Sequence, residues 1–250
     1  MNTMPLQTGM PAKQIVWFGH PYFGRHLENL GWLYRHAPYS PGKVYTWRDV
    51  LDLTGGITPD AVIVADASSP PFVLGMEKYP CLTVFYSVDS HIHSWHAVYG
   101  RAFDVCLVTH KEDLPLFAAD PANGPLAWWT PPYTRDECRP SLPRPLPKWD
   151  LVFAGTVNQQ RAPHRYAFLQ SLKAVFPALH VTGEPFARIS PQAKLVLPER
   201  TGGELHFRVF EAPGCGASLL PPDIAPALTD SFPPGAYSVL PPPLPAHPAH

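Results

Sequence analysis

The chain has 250 residues, 45% of them hydrophobic, and at roughly 100–200 residues per domain this is room for two modest domains, each able to bury a core. A formal net charge of −1 with no long basic run disfavours nucleic-acid binding through a broad positive face. No window reaches about 18 consecutive apolar residues, so no membrane-spanning helix is expected.

In chain order, MNTMPLQTGMPAKQIVWFG lacks the charged and apolar regions of a secretory signal. QIVWFG (14–19) is a short β-branched and aromatic strand ending in Gly19. HLENLGWLYRH (26–36) carries Leu27, Leu30 and Leu33 at helical spacing. DAVIVADAS (60–68), CLTVFYSVD (81–89) and FDVCLVTH (103–110) are apolar runs of buried-strand type. KEDLPLFAA then reads as a helix and LAWWT (126–130) as a further strand. Continuous apolar strands between helices indicate a parallel sheet covered on both faces.

Many of the thirty-four prolines cluster between elements, since proline cannot donate to a ladder. RPSLPRPLPKW (139–149) has no periodicity and reads as an interdomain linker, which bounds an N-terminal domain at 1–138. The pattern restarts with the strand DLVFAGT (150–156). A helix RYAFLQSLKAVF (165–176) follows, with Phe168, Leu172 and Phe176 on one face. LHVTG (179–183), AKLVLP (193–198) and ASLL (217–220) are strands, and ELHFRVFEA (204–212) is a helix. The second domain spans 150–240, and PPPLPAHPAH (241–250) is a proline-rich tail. The fold class expected is α/β, with two Rossmann-like domains facing a cleft. Cys81, Cys106, Cys138 and Cys215 are scattered, three in or beside apolar runs, as in a reduced cytoplasmic protein.

HFRVFEAPGCGASLL (206–220) is the most distinctive stretch. Arg208 and Glu211, three residues apart, share a helix face, and the glycines of TGG (Gly202, Gly203) precede that helix. A carboxylate can accept hydrogen bonds from two ribose hydroxyls, an arginine can neutralise a diphosphate, and a glycine turn offers N–H groups to an anion. The competing reading is a surface ion pair followed by a helix C-cap.

FRVFEAPGCGASLL and APALTDSFPPGAYSV (225–239) resemble the C-terminal signature of CgeB-like glycosyltransferases, relatives of the group 1 enzymes of GT-B fold. Arg208, Phe210, Glu211, Ala212, Cys215, Gly216, Phe232, Pro234 and Gly235 carry the likeness. YSVDSHIHSWHAVYGRAFDVCLVTHKEDLPLF (86–117) is similar to the same family. The resemblance implies a cytoplasmic transferase that moves a sugar from a UDP-, GDP- or dTDP-activated donor to an acceptor, without metal or other cofactor. It gives Glu211 the donor ribose, and Gly155, Thr156 and Arg161 the diphosphate. A second glutamate is usual eight residues before the first; that position is Gly203 here, with Glu204 one residue off. The family continues with further helices where this sequence has VLPPPLPAHPAH, so the C-terminal domain reads as truncated.

His91, His93 and His96 in DSHIHSWH raise a different chemistry. H-x-H-x-x-H after a strand resembles the zinc loop of metallo-β-lactamase-like hydrolases, although Trp95 stands where that loop has Asp. In the transferase reading Asp89 or His91 is instead the general base on the acceptor hydroxyl. A third reading makes Asp89 the N-cap of the next helix. His20, after the first strand, is a weaker candidate base. A sugar-nucleotide or glycan-binding protein without activity is the remaining alternative.

Overall fold

The computed structural model describes residues 12–118, 124–130, 138, 145–198 and 207–219. The chain forms two compact units, residues 1–130 and 131–250. The sequence-based linker, 139–149, lies largely outside the described residues, as do Gly202, Gly203 and the segment 220–250.

Among the described residues the first unit has six strands: β1 (Gln14–Phe18), β2 (Leu33–Ala37), β3 (Ala61–Ala65), β4 (Leu82–Ser87), β5 (Val105–Val108) and β6 (Leu126–Trp129). All pairings are parallel, in the order β2-β1-β3-β4-β5-β6. The described helices are α1 (Gly24–Asn29), α2 (Trp47–Thr54), α3 (Trp95–Gly100) and α4 (Leu114–Phe117). AVIVA is apolar throughout because every residue of β3 is buried, with both sheet faces covered. One face builds the main core, in which Val16, Phe18, Val62, Val64 and Phe85 meet Val50, Met76 and Phe103.

The helix expected over 26–36 is corrected. It stops at Asn29, Gly31 turns the chain at φ 79°, and Leu33–Ala37 pairs alongside β1 as the edge strand. Of the three leucines that set the helical period only Leu27 is buried; Leu30 and Leu33 are exposed. Pairing with β1 outweighs the local pattern. Helix α2 was not expected, yet its start is legible: the Asp49 carboxylate accepts from the Thr46 amide at 2.9 Å and hydroxyl at 3.0 Å. T-W-R-D is an acidic variant of the capping box.

The second unit has β7 (Trp149–Ala154), α5 (Pro163–Val175), β8 (Leu179–Thr182), α6 (Phe186–Ile189), β9 (Ala193–Val196), α7 (Arg208–Gly214) and β10 (Ser218–Leu219). Its sheet is parallel, ordered β10-β9-β7-β8. Leu169 and Leu172 of α5 pack on Leu151, Phe153 and Leu179. Leu172 of the expected stripe packs inward, but Leu169 takes the place of Phe168, which is exposed.

Each unit is a Rossmann-like parallel α/β sheet in which the first strand is flanked by the second and the third. The winding reverses between β1 and β3, and again between β7 and β9. In such sheets ligands bind beyond the carboxyl ends of the strands at this reversal. At the first reversal Gly19, with φ 93°, lies against the Ala65 carbonyl, where an added Cβ would collide. Gly19→Ala is therefore expected to destabilise the protein by at least about 2 kcal/mol, measured by denaturant unfolding. A neutral substitution would contradict this close approach.

Candidate functional site

The carboxyl edge of the first sheet collects most of the polar residues named from the sequence. Asp66 follows β3 directly and is 2% exposed. Its Oδ1 accepts the Ser68 amide at 2.7 Å and its Oδ2 the Asp89 amide at 3.0 Å. Ser68 Oγ donates to Asp89 Oδ2 at 2.7 Å. Beneath them His96 Nε2 stands 3.5 Å from Asp66 Oδ1, and His96 Nδ1 shares a 2.9 Å hydrogen bond with Ser87 Oγ. Burial drives the Asp66 carboxyl upward, but His96 beside it, with the two amides, outweighs it and holds the group below the ordinary carboxylate value.

This geometry separates the candidate histidines. His96 is fully buried and turned into the core, edge-on to Phe85. His91 is exposed and meets the buried ring of His110, after β5, with centroids 4.3 Å apart. The His93 ring flanks the Trp95–His96 ring pair, with centroids 6.0 Å from Trp95 and 5.3 Å from His96. Of the three imidazoles in the alternative zinc reading, His96 is engaged by Ser87 and lies beside Asp66, while His91 meets His110. No group of three or more His, Cys, Asp or Glu among the described residues is arranged to hold a metal ion. His20 stacks on Tyr22 at 4.5 Å.

Asp89 does not cap α3, which begins at Trp95 after Ser94. Its carbonyl accepts the amides of Ile92 and His93, and its carboxylate is engaged by Ser68. The network partners Asp66, Ser68, Ser87 and His110 were not singled out from the sequence. Asp66 had a signal, because a carboxylate directly after a fully apolar strand sits at a carboxyl edge. Ser68 had none.

In the second unit Gly155 and Thr156 follow β7 at its carboxyl end, and the Gly155 amide donates to the Thr182 carbonyl at 3.0 Å. Asn158 Oδ1 accepts the amides of Gln160 and Arg161, each at 2.9 Å, which shapes the turn into α5. The side chain of Arg161 is exposed. Arg165, not considered from the sequence, reaches back from α5 to the Thr156 carbonyl at 3.4 Å.

Helix α7 is the crossover from β9 to β10, so its first turn starts from the carboxyl edge. There Arg208 pairs with Glu211, as their spacing allowed. The Arg208 guanidinium lies 4.2 Å from the centroid of Phe186, which opens α6. Glu211 has no exposed surface, whereas the Arg208 side chain is 34% exposed. Arg208 is the partly exposed member of the pair, and Glu211 is the buried anion beside it. The flanking core is closed by Val209, Ala212 and Cys215.

The class these observations define is a parallel α/β protein of two Rossmann-like units. No family model and no curated protein matches the chain. Among the described residues no helix is long and apolar enough to cross a membrane.

Proposed function

We propose that the chain is a glycosyltransferase of GT-B type that takes a sugar from a nucleotide-activated donor without a metal ion. The donor belongs to the second unit and the acceptor to the first. The observation that supports this most is the common position of the residues picked out by the resemblance. Asp89 and His91 follow β4, Gly155 and Thr156 follow β7, and Arg208 and Glu211 open the crossover after β9. All lie toward the carboxyl edges of parallel sheets, where ligands of such sheets bind.

In this reading the acceptor oxygen attacks the anomeric carbon and gives its proton to Asp89. A C–O bond forms there, and the bond from that carbon to the diphosphate oxygen breaks. The electron pair leaves with the nucleoside diphosphate, whose charge is met by Arg208, Arg165 and loop amides.

The test is thermal unfolding with UDP, GDP and dTDP, each with and without EDTA. One of them should raise the melting temperature, since a ligand at about 100 times its Kd adds about 2.7 kcal/mol. The shift should survive the chelator. No shift with any nucleotide would overturn the reading. So would near-stoichiometric zinc in the purified protein that is lost in the His91→Ala/His93→Ala double variant. Turnover of a labelled nucleotide sugar separates a transferase from an inactive binding protein.

A further inference from the structure

We propose that Ser68 is the positioning residue for the Asp89 carboxylate, locked in place by buried Asp66; the proposal rests on Asp89 being the base. Ser68 has φ 49° and is the only non-glycine residue with positive φ among the described residues. Serine seldom holds this left-handed backbone, and glycine would hold it without strain. What serine adds over glycine here is a hydroxyl, and that hydroxyl lies 2.7 Å from Asp89 Oδ2.

Asp66 explains how the strained turn persists. One carboxylate takes the amide of Ser68 on one oxygen and that of Asp89 on the other, at 2.7 and 3.0 Å, so it ties the ends of β3 and β4 together. Its own amide donates to the Tyr86 carbonyl at 2.9 Å. The carboxyl is buried, below its ordinary titration range, and backed by His96. Such a charged acceptor fixes two loops more strongly than neutral contacts do. The Asp89 carboxylate is then oriented from one side. Ser68 occupies Oδ2, and Oδ1 has no hydrogen-bond partner among the described residues. Oδ1 is the atom left for the substrate hydroxyl.

Two variants separate the hydroxyl from the backbone. Ser68→Gly relaxes the turn and removes the donor, whereas Ser68→Ala keeps the strain and removes the donor. The rate is release of nucleoside diphosphate from UDP-glucose, GDP-mannose or dTDP-glucose, with water as acceptor. Both variants should lower kcat roughly 10-fold, as loss of a hydrogen bond to a charged group does, with donor KM unchanged. A purely conformational role predicts a fall in Ser68→Ala alone, and that result would overturn the proposal.

A second measurement does not depend on activity. Full-chain unfolding of Ser68→Gly, Asp89→Ala and the double variant should show a coupling of about 5-fold or more in the unfolding equilibrium constant. Zero coupling would refute the Ser68–Asp89 contact. Coupling without nucleotide-sugar turnover in the unmodified protein would refute the transferase reading, and the positioning role with it, while leaving the contact intact.

Discussion

Asp89→Asn is expected to lower nucleotide-sugar turnover about 100-fold or more while leaving nucleotide affinity unchanged. The carboxamide has the size of the carboxylate and still offers an oxygen to Ser68 Oγ, now 2.7 Å from Asp89 Oδ2. It cannot take a proton from an attacking hydroxyl. The loss therefore falls on kcat, and calorimetry with the nucleoside diphosphate should show the same Kd for both proteins. In the proposed reading the nucleotide belongs to the other unit, which sharpens this separation. If His91 is the base instead, His91→Ala shows the fall and Asp89→Asn does not. That outcome would move the chemistry to the His91–His110 pair.

Asp66→Ala should destabilise the protein by about 3 kcal/mol, measured by denaturant unfolding at neutral pH. It removes the acceptor of the Ser68 and Asp89 amides and the anion beside His96 Nε2. The same carboxylate contributes to acid sensitivity. Its folded-state value is below the ordinary one, so its contribution is complete above the unfolded value of about 4. The contribution is lost as the pH falls below that point through the lower folded value. Unfolding midpoints at pH 6 and pH 3 should therefore differ less in Asp66→Asn than in the parent. Asp49 and Asp60, also held low, remain in both proteins and cancel in the comparison. An unchanged pH dependence in Asp66→Asn would show that the carboxylate is not ionised against these partners.

The elements that were legible in the sequence are those whose burial is continuous. AVIVA and LVFA read as parallel strands because side chains on both faces are buried, and each became a central strand. The C-terminal helix was expected over 204–212 and is described from Arg208 to Gly214, with Arg208 paired to Glu211 as the competing ion-pair reading had it. Edge elements read less well. LYRHA in β2 alternates between exposed and half-buried positions, and Leu27, Leu30 and Leu33 mimic a helix across the Gly31 turn. Phe168 looked like a core residue from hydrophobicity alone, yet Leu169 is the one buried.

By itself the sequence determined the alternation of strand and helix and the parallel character of the sheets, and it set Asp89 and Gly155 at the ends of strands and Arg208 on a helix. These follow from local periods and from the residue types next to each strand. Only the tertiary structure decided that both sheets wind in the same order, although no sequence repeat announces it. It also decided that His96 turns into the core while His91 faces His110, dividing three imidazoles that spacing alone would group. Likewise it buried Glu211 fully and left Arg208 partly exposed. The Asp66–Ser68–Asp89 clamp joins the ends of two strands that are adjacent in the sheet but separated in the chain by a turn and a 3-10 helix. Such a contact has no period to read. It exists because β3 and β4 pair in register and bring their carboxyl ends within hydrogen-bonding distance.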